Sequence, residues 1–254
     1  MIAPALMLLL HFGSPAQGGL TQHDLSTVVA APPPGAAAPL GTTFVNDQGA
    51  HLTLGAAMGG RPTVLVFADY TCTYLCGPGL VLAAAALDRT GLKPDRDYSF
   101  VVVGINPRDG PAQARAMRAQ RLGPGAGAAA QLLSEGRADR VAAALGYRYV
   151  YDARLGQYAH ETTIYVLAPN GRVARMLPQF ALTSASLSQA LLHADQPPTR
   201  PLPAPLRFIC YCLQPLTGAY DKPATLALRA GGVGFLAAAG LAGLALRRRR
   251  GRRP

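Results

Sequence analysis

The chain has 254 residues and half of them are hydrophobic, which suffices for one ordinary domain with a core plus targeting segments. It carries 24 Lys and Arg against 13 Asp and Glu, a formal net charge of +11. Six arginines lie at 247–250, 252 and 253, and without them the charge falls to +5 (11 − 6) with no basic stripe. This distribution argues against a nucleic-acid-binding protein, because such proteins concentrate positive charge on the surface that meets the phosphates.

Both ends of the chain resemble membrane-targeting elements. Residues 1–17 join an apolar stretch to small residues near Ala16, like a secretory signal peptide without a positive start. Residues 230–246 are uncharged and rich in Ala, Gly and Leu, at the short limit for a transmembrane helix. Because the basic tail 247–254 should stay cytoplasmic, the sequence predicts a domain outside a bacterial inner membrane. An ordinary apolar N-terminus and a buried core helix are the alternatives.

Composition divides the rest of the chain into a linker, a domain and a juxtamembrane segment. Residues 18–42 include a run rich in Pro and Ala without a core-forming pattern, and we assign them to a linker. Residues 43–196 carry the strand and helix patterns of one domain. Residues 197–229 begin with a dense cluster of prolines, and we interpret them as a Pro-rich juxtamembrane segment.

Hydrophobic periodicity within the domain predicts strands that alternate with helices. The predicted strands are a hairpin at 44–54, strands at 62–68, 98–105 and 147–151, and a hairpin of 162–168 with 172–177. The predicted helices are 78–90, 111–121, 137–145 and 183–194, with a flexible connection at 123–130. This order predicts an α/β domain with a mixed central sheet flanked by helices, and a thioredoxin-like fold satisfies it.

Two cysteines and one histidine give the best clue to function. Cys72 and Cys76 follow the strand 62–68 where a helix begins, and their spacing predicts both sulfurs on one side of a helical turn. A helix N-terminus favours the thiolate, which is both a nucleophile and a metal ligand. His160 is expected in the loop that enters strand 162–168, across from that helix. Since thiolates select Cu(I) and imidazole accepts both copper states, the three residues predict a copper site.

Other interpretations of the two cysteines stay open. A cysteine pair outside the cytoplasm is often a structural disulfide. A thiol–disulfide reductase would need both cysteines but not His160, although such enzymes more usually have a C-x-x-C spacing. A redox sensor would react with peroxide through one thiol and form a sulfenic acid. A copper carrier, by contrast, needs the imidazole as well as both thiols.

Several motifs together resemble a known family. They are Phe-Ala-Asp-Tyr-Thr-Cys-Thr-Tyr-Leu-Cys at 67–76, Val-Gly-Ile-Asn-Pro-Arg-Asp at 103–109, Tyr-Ala-His at 158–160 and Pro-Asn-Gly at 169–171. From about residue 43 to 194 the chain resembles the Sco/SenC family of copper chaperones for cytochrome c oxidase assembly. Its tail, with Phe-Ile-Cys-Tyr-Cys-Leu-Gln-Pro at 208–215, resembles a bacterial subgroup with a C-terminal membrane helix.

The resemblance implies a thioredoxin-like fold and copper ligation by Cys72, Cys76 and His160. It implies a metal carrier rather than an enzyme with a turnover substrate, with Cys72 and Cys76 as redox thiols. The implied partners are subunit II of cytochrome c oxidase, a copper donor and a thiol reductant. The chain departs from the family pattern at three positions that are not ligands, Gly77, Asn106 and Glu161.

A second pair of cysteines precedes the predicted membrane span. Cys210 and Cys212 form a C-x-C motif, in which residues two apart on a strand rarely bond each other. We expect one family-typical cysteine and one incidental cysteine. The sharper hypothesis is an auxiliary thiol relay or a second copper contact, because exposed thiols are reactive in an oxidising compartment.

The remaining polar candidates have structural explanations. Asp69 is expected to cap the turn that leads to the first cysteine. Arg115, Arg118 and Arg121 are spaced to share one face of a helix and are expected to be solvated. Alternatively, this row of arginines steers an acidic partner towards the domain.

Overall fold

The computed structural model describes residues 19–72, 75–196 and 209–210, without the side chains of Phe180, Ile209 and Cys210. Contacts group His23–Cys212 into one compact unit. The predicted signal peptide, membrane span and basic tail lie outside the described residues, as does most of the Pro-rich segment. No helix in the part of the chain that is described is long and apolar enough to cross a membrane.

Strands and helices alternate through the described part of the chain. Its strands are β1 (Val29–Ala30), β2 (Thr43–Asn46), β3 (His51–Thr53), β4 (Thr63–Ala68), β5 (Ser99–Gly104), β6 (Gln131–Ser134), β7 (Tyr147–Arg148), β8 (Val150–Asp152), β9 (Gln157–Glu161), β10 (Thr163–Leu167), β11 (Val173–Pro178) and β12 (Ile209–Cys210). Its helices are α1 (Gln22–Thr27), α2 (Leu54–Met58), α3 (Cys76–Asp88), α4 (Pro111–Arg121), α5 (Ala126–Ala129), α6 (Ala138–Ala144) and α7 (Ser184–Leu192), with a 3-10 turn at Gln179–Ala181.

A seven-stranded mixed sheet forms the centre of the domain, in the order β11-β10-β4-β5-β6-β2-β3. Strands β4, β5 and β6 run parallel, whereas β10 is antiparallel to both β4 and β11. Helix α3 connects β4 to β5, and the β10–β11 hairpin returns along the other side of β4. This is the thioredoxin-like arrangement that the sequence predicts, and the α/β class with a mixed sheet and flanking helices is confirmed.

The central sheet carries a core on each face because side chains alternate along its strands. Val64 and Val66 of β4 face a core that includes apolar residues of α3, α4 and α7. Leu65 and Phe67 of the same strand face a second core, with α2 and α6. Every residue of β4 is buried, which explains why its sequence is a continuous apolar run rather than an alternating one.

The predicted linker 18–42 differs from the structure. Residues from His23 onwards belong to the compact unit, and Leu25 and Val28 are buried. Strand β1 pairs antiparallel with β7, and the Ala38 amide donates a hydrogen bond to the Gly171 carbonyl at 2.9 Å. The domain therefore begins before residue 43, since scattered apolar residues among prolines are enough to cover the edge of a core.

The flexible connection predicted at 123–130 is also wrong. The short helix α5 occupies its second half, and β6 follows directly as a sheet strand. Ala126 and Ala130 are fully buried, because small side chains let this segment pack closely against α3. Arg118 donates to the carbonyl oxygens of Gly127 and Ala128, both at 3.0 Å, which fixes the backbone before β6.

The expectation of a solvated arginine face fails at Arg118. Its guanidinium pairs with the buried Asp47 carboxylate, with Nε 2.6 Å from Oδ2. Arg115 on the preceding turn donates to the Asp47 backbone carbonyl at 2.9 Å. A sequence pattern locates these arginines on one helical face, but it does not reveal that the β2–β3 turn presents a carboxylate to them.

We predict that truncation of Leu80, which is fully buried on α3, lowers the free energy of unfolding by about 2–4 kcal/mol. Leu80→Ala removes apolar contacts and leaves a cavity beneath the helix that carries Cys76. The matched control is Leu82→Ala on the same helix, where the side chain is 43% exposed and the change stays within about 0.5 kcal/mol. Urea unfolding measures both, and equal losses would contradict the packing described.

Candidate metal site

The segment that carries Cys72 is fixed by a turn at the end of β4. Both the amide and the hydroxyl of Thr71 donate to Asp69 Oδ1, at 3.0 and 2.7 Å. The Cys72 amide donates to the Asp69 carbonyl at 3.1 Å. Asp69 therefore caps this turn, as the sequence predicts. The turn keeps Cys72 outside the helix, since α3 begins only at Cys76, so the predicted position of both sulfurs on one helical turn is wrong.

Asn106 supports the same turn from the end of β5. Its Nδ2 amide donates to Asp69 Oδ1 at 3.3 Å and to Thr71 Oγ1 at 3.2 Å. A carboxylate at this position would instead face the Asp69 carboxylate and repel it. As a neutral donor, the Asn106 amide instead joins the two polar residues of the turn, Asp69 and Thr71.

Tyr70 fastens the turn to the sheet. Its ring is buried, and its hydroxyl hydrogen-bonds the carbonyl oxygens of Val102 and Leu133, 3.0 and 2.9 Å away. The ring fits because Gly104 has no side chain, since a Cβ there would lie 2.8 Å from a ring carbon. Burial raises the pKa of Tyr70, so this hydroxyl stays protonated and available for hydrogen bonding. The position of Cys72 therefore depends on a buried anchor two residues earlier.

Cys76 and His160 are in direct contact. Cys76 opens α3 and is 5% exposed, while His160 is 2% exposed. The distance from Cys76 Sγ to His160 Nε2 is 3.2 Å. The structure therefore brings together two of the three predicted ligands, from positions 84 residues apart in the sequence.

His160 lies in a strand and not in the predicted loop. Strand β9 pairs antiparallel with β8, and the turn between them includes Gly156 with a φ of 66°. Asp152 holds the turn, because its Oδ1 accepts hydrogen bonds from the amides of Arg154 and Leu155. The sequence suggested a loop because this short hairpin has none of the usual two-residue turn motifs. A strand position orients the imidazole more rigidly than a loop would.

Tyr147 and the Glu161 carbonyl together set the tautomer of His160. The Tyr147 hydroxyl donates to the Glu161 carbonyl at 2.7 Å, and the same oxygen lies 2.8 Å from His160 Nδ1. The Glu161 carbonyl also lies 3.1 Å from Nδ1, and because a carbonyl can only accept, Nδ1 carries the proton and donates to both oxygens. Nε2 is then unprotonated, and its lone pair faces the Cys76 sulfur. This is the tautomer needed for ligation through Nε2.

Electrostatics also keep the imidazole neutral. Burial lowers the pKa of His160, and the nearby Glu161 carbonyl and Cys72 thiol oppose that effect only in part. A neutral imidazole needs no deprotonation before it binds a metal, unlike a thiol. Cys72 is close enough to His160 to act on it electrostatically, and its side chain is half-buried.

The third predicted ligand, Cys72, is assigned from the sequence and not from a contact in the structure. Among the described residues no group of three His, Cys, Asp or Glu side chains stands ready to hold a metal. The structure nevertheless supplies a preformed thiol–imidazole pair and a second thiol on the adjoining turn. Two sulfurs and one nitrogen are soft donors suited to copper, so the residues present fit that metal.

Asp109 was missed in the sequence, although it ends the motif at 103–109. Its Oδ2 accepts the Tyr70 amide at 2.8 Å, and its side chain is 1% exposed. Burial first, and then the neighbouring Asp69 carboxylate, raise the pKa of Asp109 to about 6. Tyr147 was missed too, although the alternation of tyrosines at 147, 149 and 151 could have marked it as facing the core side of a strand.

Of the second cysteine pair, the structure describes the backbone of Cys210 alone. Strand β12 pairs with β9, and Cys210 stands opposite His160 in the register. Cys212 lies outside the described residues.

We predict that Tyr147→Phe raises the share of the Nε2–H tautomer of His160, because Nδ1–H keeps only its longer contact, 3.1 Å to the Glu161 carbonyl. The ring nitrogen chemical shifts of His160 at pH 7 measure this ratio. Tyr149→Phe is the matched control, since the Tyr149 ring lies 6.2 Å from that of Tyr147 and should leave the shifts unchanged. An unchanged Nδ1–H tautomer in Tyr147→Phe would show that the tyrosine does not set it.

Asp109 gives a pH dependence of defined sign. Its pKa in the folded chain, about 6, exceeds the ordinary value of 3.8, so the folded state holds a proton that the unfolded state has lost. Stability from this group is therefore present below pH 4 and is lost as the pH rises through 6. Asp109→Asn keeps an acceptor for Tyr70 and should remove that loss, which is roughly 2–3 kcal/mol.

The measurement is the free energy of unfolding of the native chain and of Asp109→Asn, compared at each pH from 4 to 7.5. Asp139→Asn is the control, because the pKa of exposed Asp139 is held down by Arg137 and has the opposite sign. Parallel curves for the native chain and Asp109→Asn would contradict the raised pKa.

No protein-family model matches the sequence, and neither does any curated protein. Solved structures do match the fold. A proposed electron transfer protein from Aquifex aeolicus VF5 aligns with a TM-score of 0.56 at 16% identity, over 64% of this chain and 95% of that one. A SCO1/SenC family lipoprotein from Bacillus anthracis aligns with a TM-score of 0.51 at 18% identity, over 65% of this chain and all of that one.

A further match is BsSco, a member of the Sco family of cytochrome c oxidase assembly proteins in which a disulfide switch was identified. It aligns with a TM-score of 0.51 at 17% identity, over 63% of this chain and 95% of that one. These likenesses span nearly the whole of each matched protein, so the described domain has the fold of Sco/SenC family structures.

Proposed function

We propose that the chain is a copper chaperone of the Sco/SenC type, with Cys72, Cys76 and His160 as the copper ligands. The observation that carries the proposal is the contact between Cys76 Sγ and His160 Nε2 at 3.2 Å, in the tautomer that leaves Nε2 unprotonated. Such a contact between a buried thiol and a buried neutral imidazole provides two soft donors that are already in place. The motif resemblance and the shared fold support the same assignment.

The two thiols of the site differ in burial, which suggests different roles for the buried Cys76–His160 pair and the half-buried Cys72. Cys76 and His160 are buried and held by α3 and β9, so they are suited to retain the metal. Cys72 is half-buried at the tip of a turn, where a ligand from another protein can replace it. Binding releases the thiol protons, and the thiolates favour Cu(I) while the imidazole also accepts Cu(II). Copper would then leave by exchange of ligands that starts at Cys72.

The proposed acceptor is subunit II of cytochrome c oxidase, with a copper donor and a thiol reductant as further partners. Support for this comes from the Sco/SenC motifs and from the role of BsSco in the assembly of cytochrome c oxidase. The reductant is needed because Cys72 and Cys76 can bind copper only when no disulfide joins them. In this role the chain carries a metal and does not turn over a substrate.

We further propose that residues 230–246 anchor the chain in a bacterial inner membrane, with the domain on the outer side. The support is the uncharged composition of this stretch, the basic tail at 247–254 and the leader-like sequence at 1–17. This location puts the site in the compartment where an oxidase exposes a copper site that is loaded from outside the cytoplasm.

A thiol–disulfide reductase is the second candidate. The asymmetry of the two thiols favours it, because half-buried Cys72 suits attack on a partner disulfide and buried Cys76 suits resolution of the mixed disulfide. This activity needs both cysteines and does not need His160, so a single histidine variant separates the two functions.

We predict that the reduced full chain in detergent binds about one copper and that its Cu(II) form has thiolate-to-copper absorption bands. His160→Ala should lower Cu(II) affinity by about tenfold or more and abolish those bands. His193→Ala is the matched control, because exposed His193 contacts only the end of its own helix among the described residues and should bind copper normally.

Copper content, optical spectra and electron spin resonance give the result, with reduction of a disulfide substrate measured on the same samples. A native chain that binds no copper, yet reduces disulfides with or without His160, would overturn the chaperone and establish the reductase.

A further inference from the structure

The strand β12 brings a third cysteine to the edge of the site. It pairs antiparallel with β9, with Ile209 opposite Glu161 and Cys210 opposite His160. Directly opposed residues of an antiparallel pair have Cα atoms about 4.5–5.5 Å apart. The register therefore places Cys210 beside the histidine that contacts Cys76, although 50 residues separate Cys210 from His160 in the chain.

Opposed residues in an antiparallel pair also lie on the same face of the strands. On that face the His160 imidazole meets Cys76 Sγ at 3.2 Å. We propose that Cys210 is a third redox thiol of this site, which can replace Cys72 as the disulfide partner of Cys76. The proposal rests on this register and on the contact between Cys76 and His160, and it requires no copper.

The exchange is balanced without an added oxidant once Cys72 and Cys76 are joined. The Cys210 thiolate attacks Cys76 Sγ, the bond between Cys76 and Cys72 breaks, and Cys72 leaves as a thiolate. One disulfide is lost and one is formed, so there is no net oxidation. Cys210 gives its proton to solvent and the Cys72 thiolate takes one up. Because the attacking thiol is intramolecular, the burial of Cys76 does not prevent the reaction.

The consequence is a division of roles among the three thiols. In the Cys76–Cys210 form, the half-buried Cys72 is a free thiol that a partner can reach, while Cys76 is blocked as a ligand. In the Cys72–Cys76 form, Cys210 is free. Cys72 can therefore remain a reactive thiol after the chain is oxidised. The new bridge would also join β12 covalently to α3.

The test uses the full chain in detergent with Cys72→Ser, so that Cys76 cannot pair with Cys72. Glutathione disulfide is the oxidant, and linked peptides are identified by mass spectrometry after proteolysis. The expected product is a Cys76–Cys210 bridge in most molecules. It should persist in Cys72→Ser with Cys212→Ser and vanish in Cys72→Ser with Cys210→Ser, where Cys76 becomes glutathionylated or stays reduced.

A bridge from Cys76 to Cys212, or no bridge from Cys76, would overturn the proposal. Circular dichroism of each variant shows that the domain is folded, so a missing bridge cannot be blamed on misfolding. In the native chain oxidised by one equivalent of glutathione disulfide, alkylation of Cys72 together with the Cys76–Cys210 bridge is the expected mark of exchange. Alkylation of Cys210 alone would contradict it.

Copper binding by the native chain is measured separately, which keeps the two proposals apart. If the native chain binds copper but forms no Cys76–Cys210 bridge, only the proposed role of Cys210 is overturned. If the chain forms the bridge but binds no copper, only the proposed chaperone function is overturned.

Discussion

The contact between Cys76 Sγ and His160 Nε2 is the constraint on which the site depends. It joins the first residue of α3, which lies on the large sheet, to β9 of a second, smaller sheet. Neither side chain faces solvent, so the packing of both elements fixes their distance. Tyr147 orients the imidazole from its other edge, because its hydroxyl oxygen accepts a hydrogen bond from Nδ1–H and leaves the Nε2 lone pair on the sulfur side.

Charge is arranged differently around the second thiol. Two buried carboxyl groups, Asp69 and Asp109, hydrogen-bond the turn that carries Cys72, and the pKa of Asp109 is raised to about 6 by burial and by Asp69. Asn106 adds a neutral amide that donates to Asp69. The turn thus tolerates two acidic groups because Asp69 Oδ1 accepts three hydrogen bonds and Asp109 Oδ2 accepts the Tyr70 amide. Cys72 stays positioned yet accessible, as a ligand that is exchanged should be.

The central strands of the domain were predictable from the sequence, because continuous apolar runs such as those of β4 and β5 are typical of buried strands. The sequence also identified the three candidate ligands from the motifs around Cys72, Cys76 and His160. What it could not predict was decided by tertiary contacts. The strand position of His160 depends on a hairpin held by Asp152, and the tautomer depends on Tyr147. The register that sets Cys210 opposite His160 has no local sequence signature.

X-ray absorption of the chain loaded with one equivalent of Cu(I) tests the central claim most directly, because it identifies the atoms bound to copper. The account predicts two sulfur ligands and one nitrogen ligand, with loss of the nitrogen alone in His160→Ala. Copper bound without sulfur, or with no nitrogen in the native chain, would contradict a site built on the contact between Cys76 and His160.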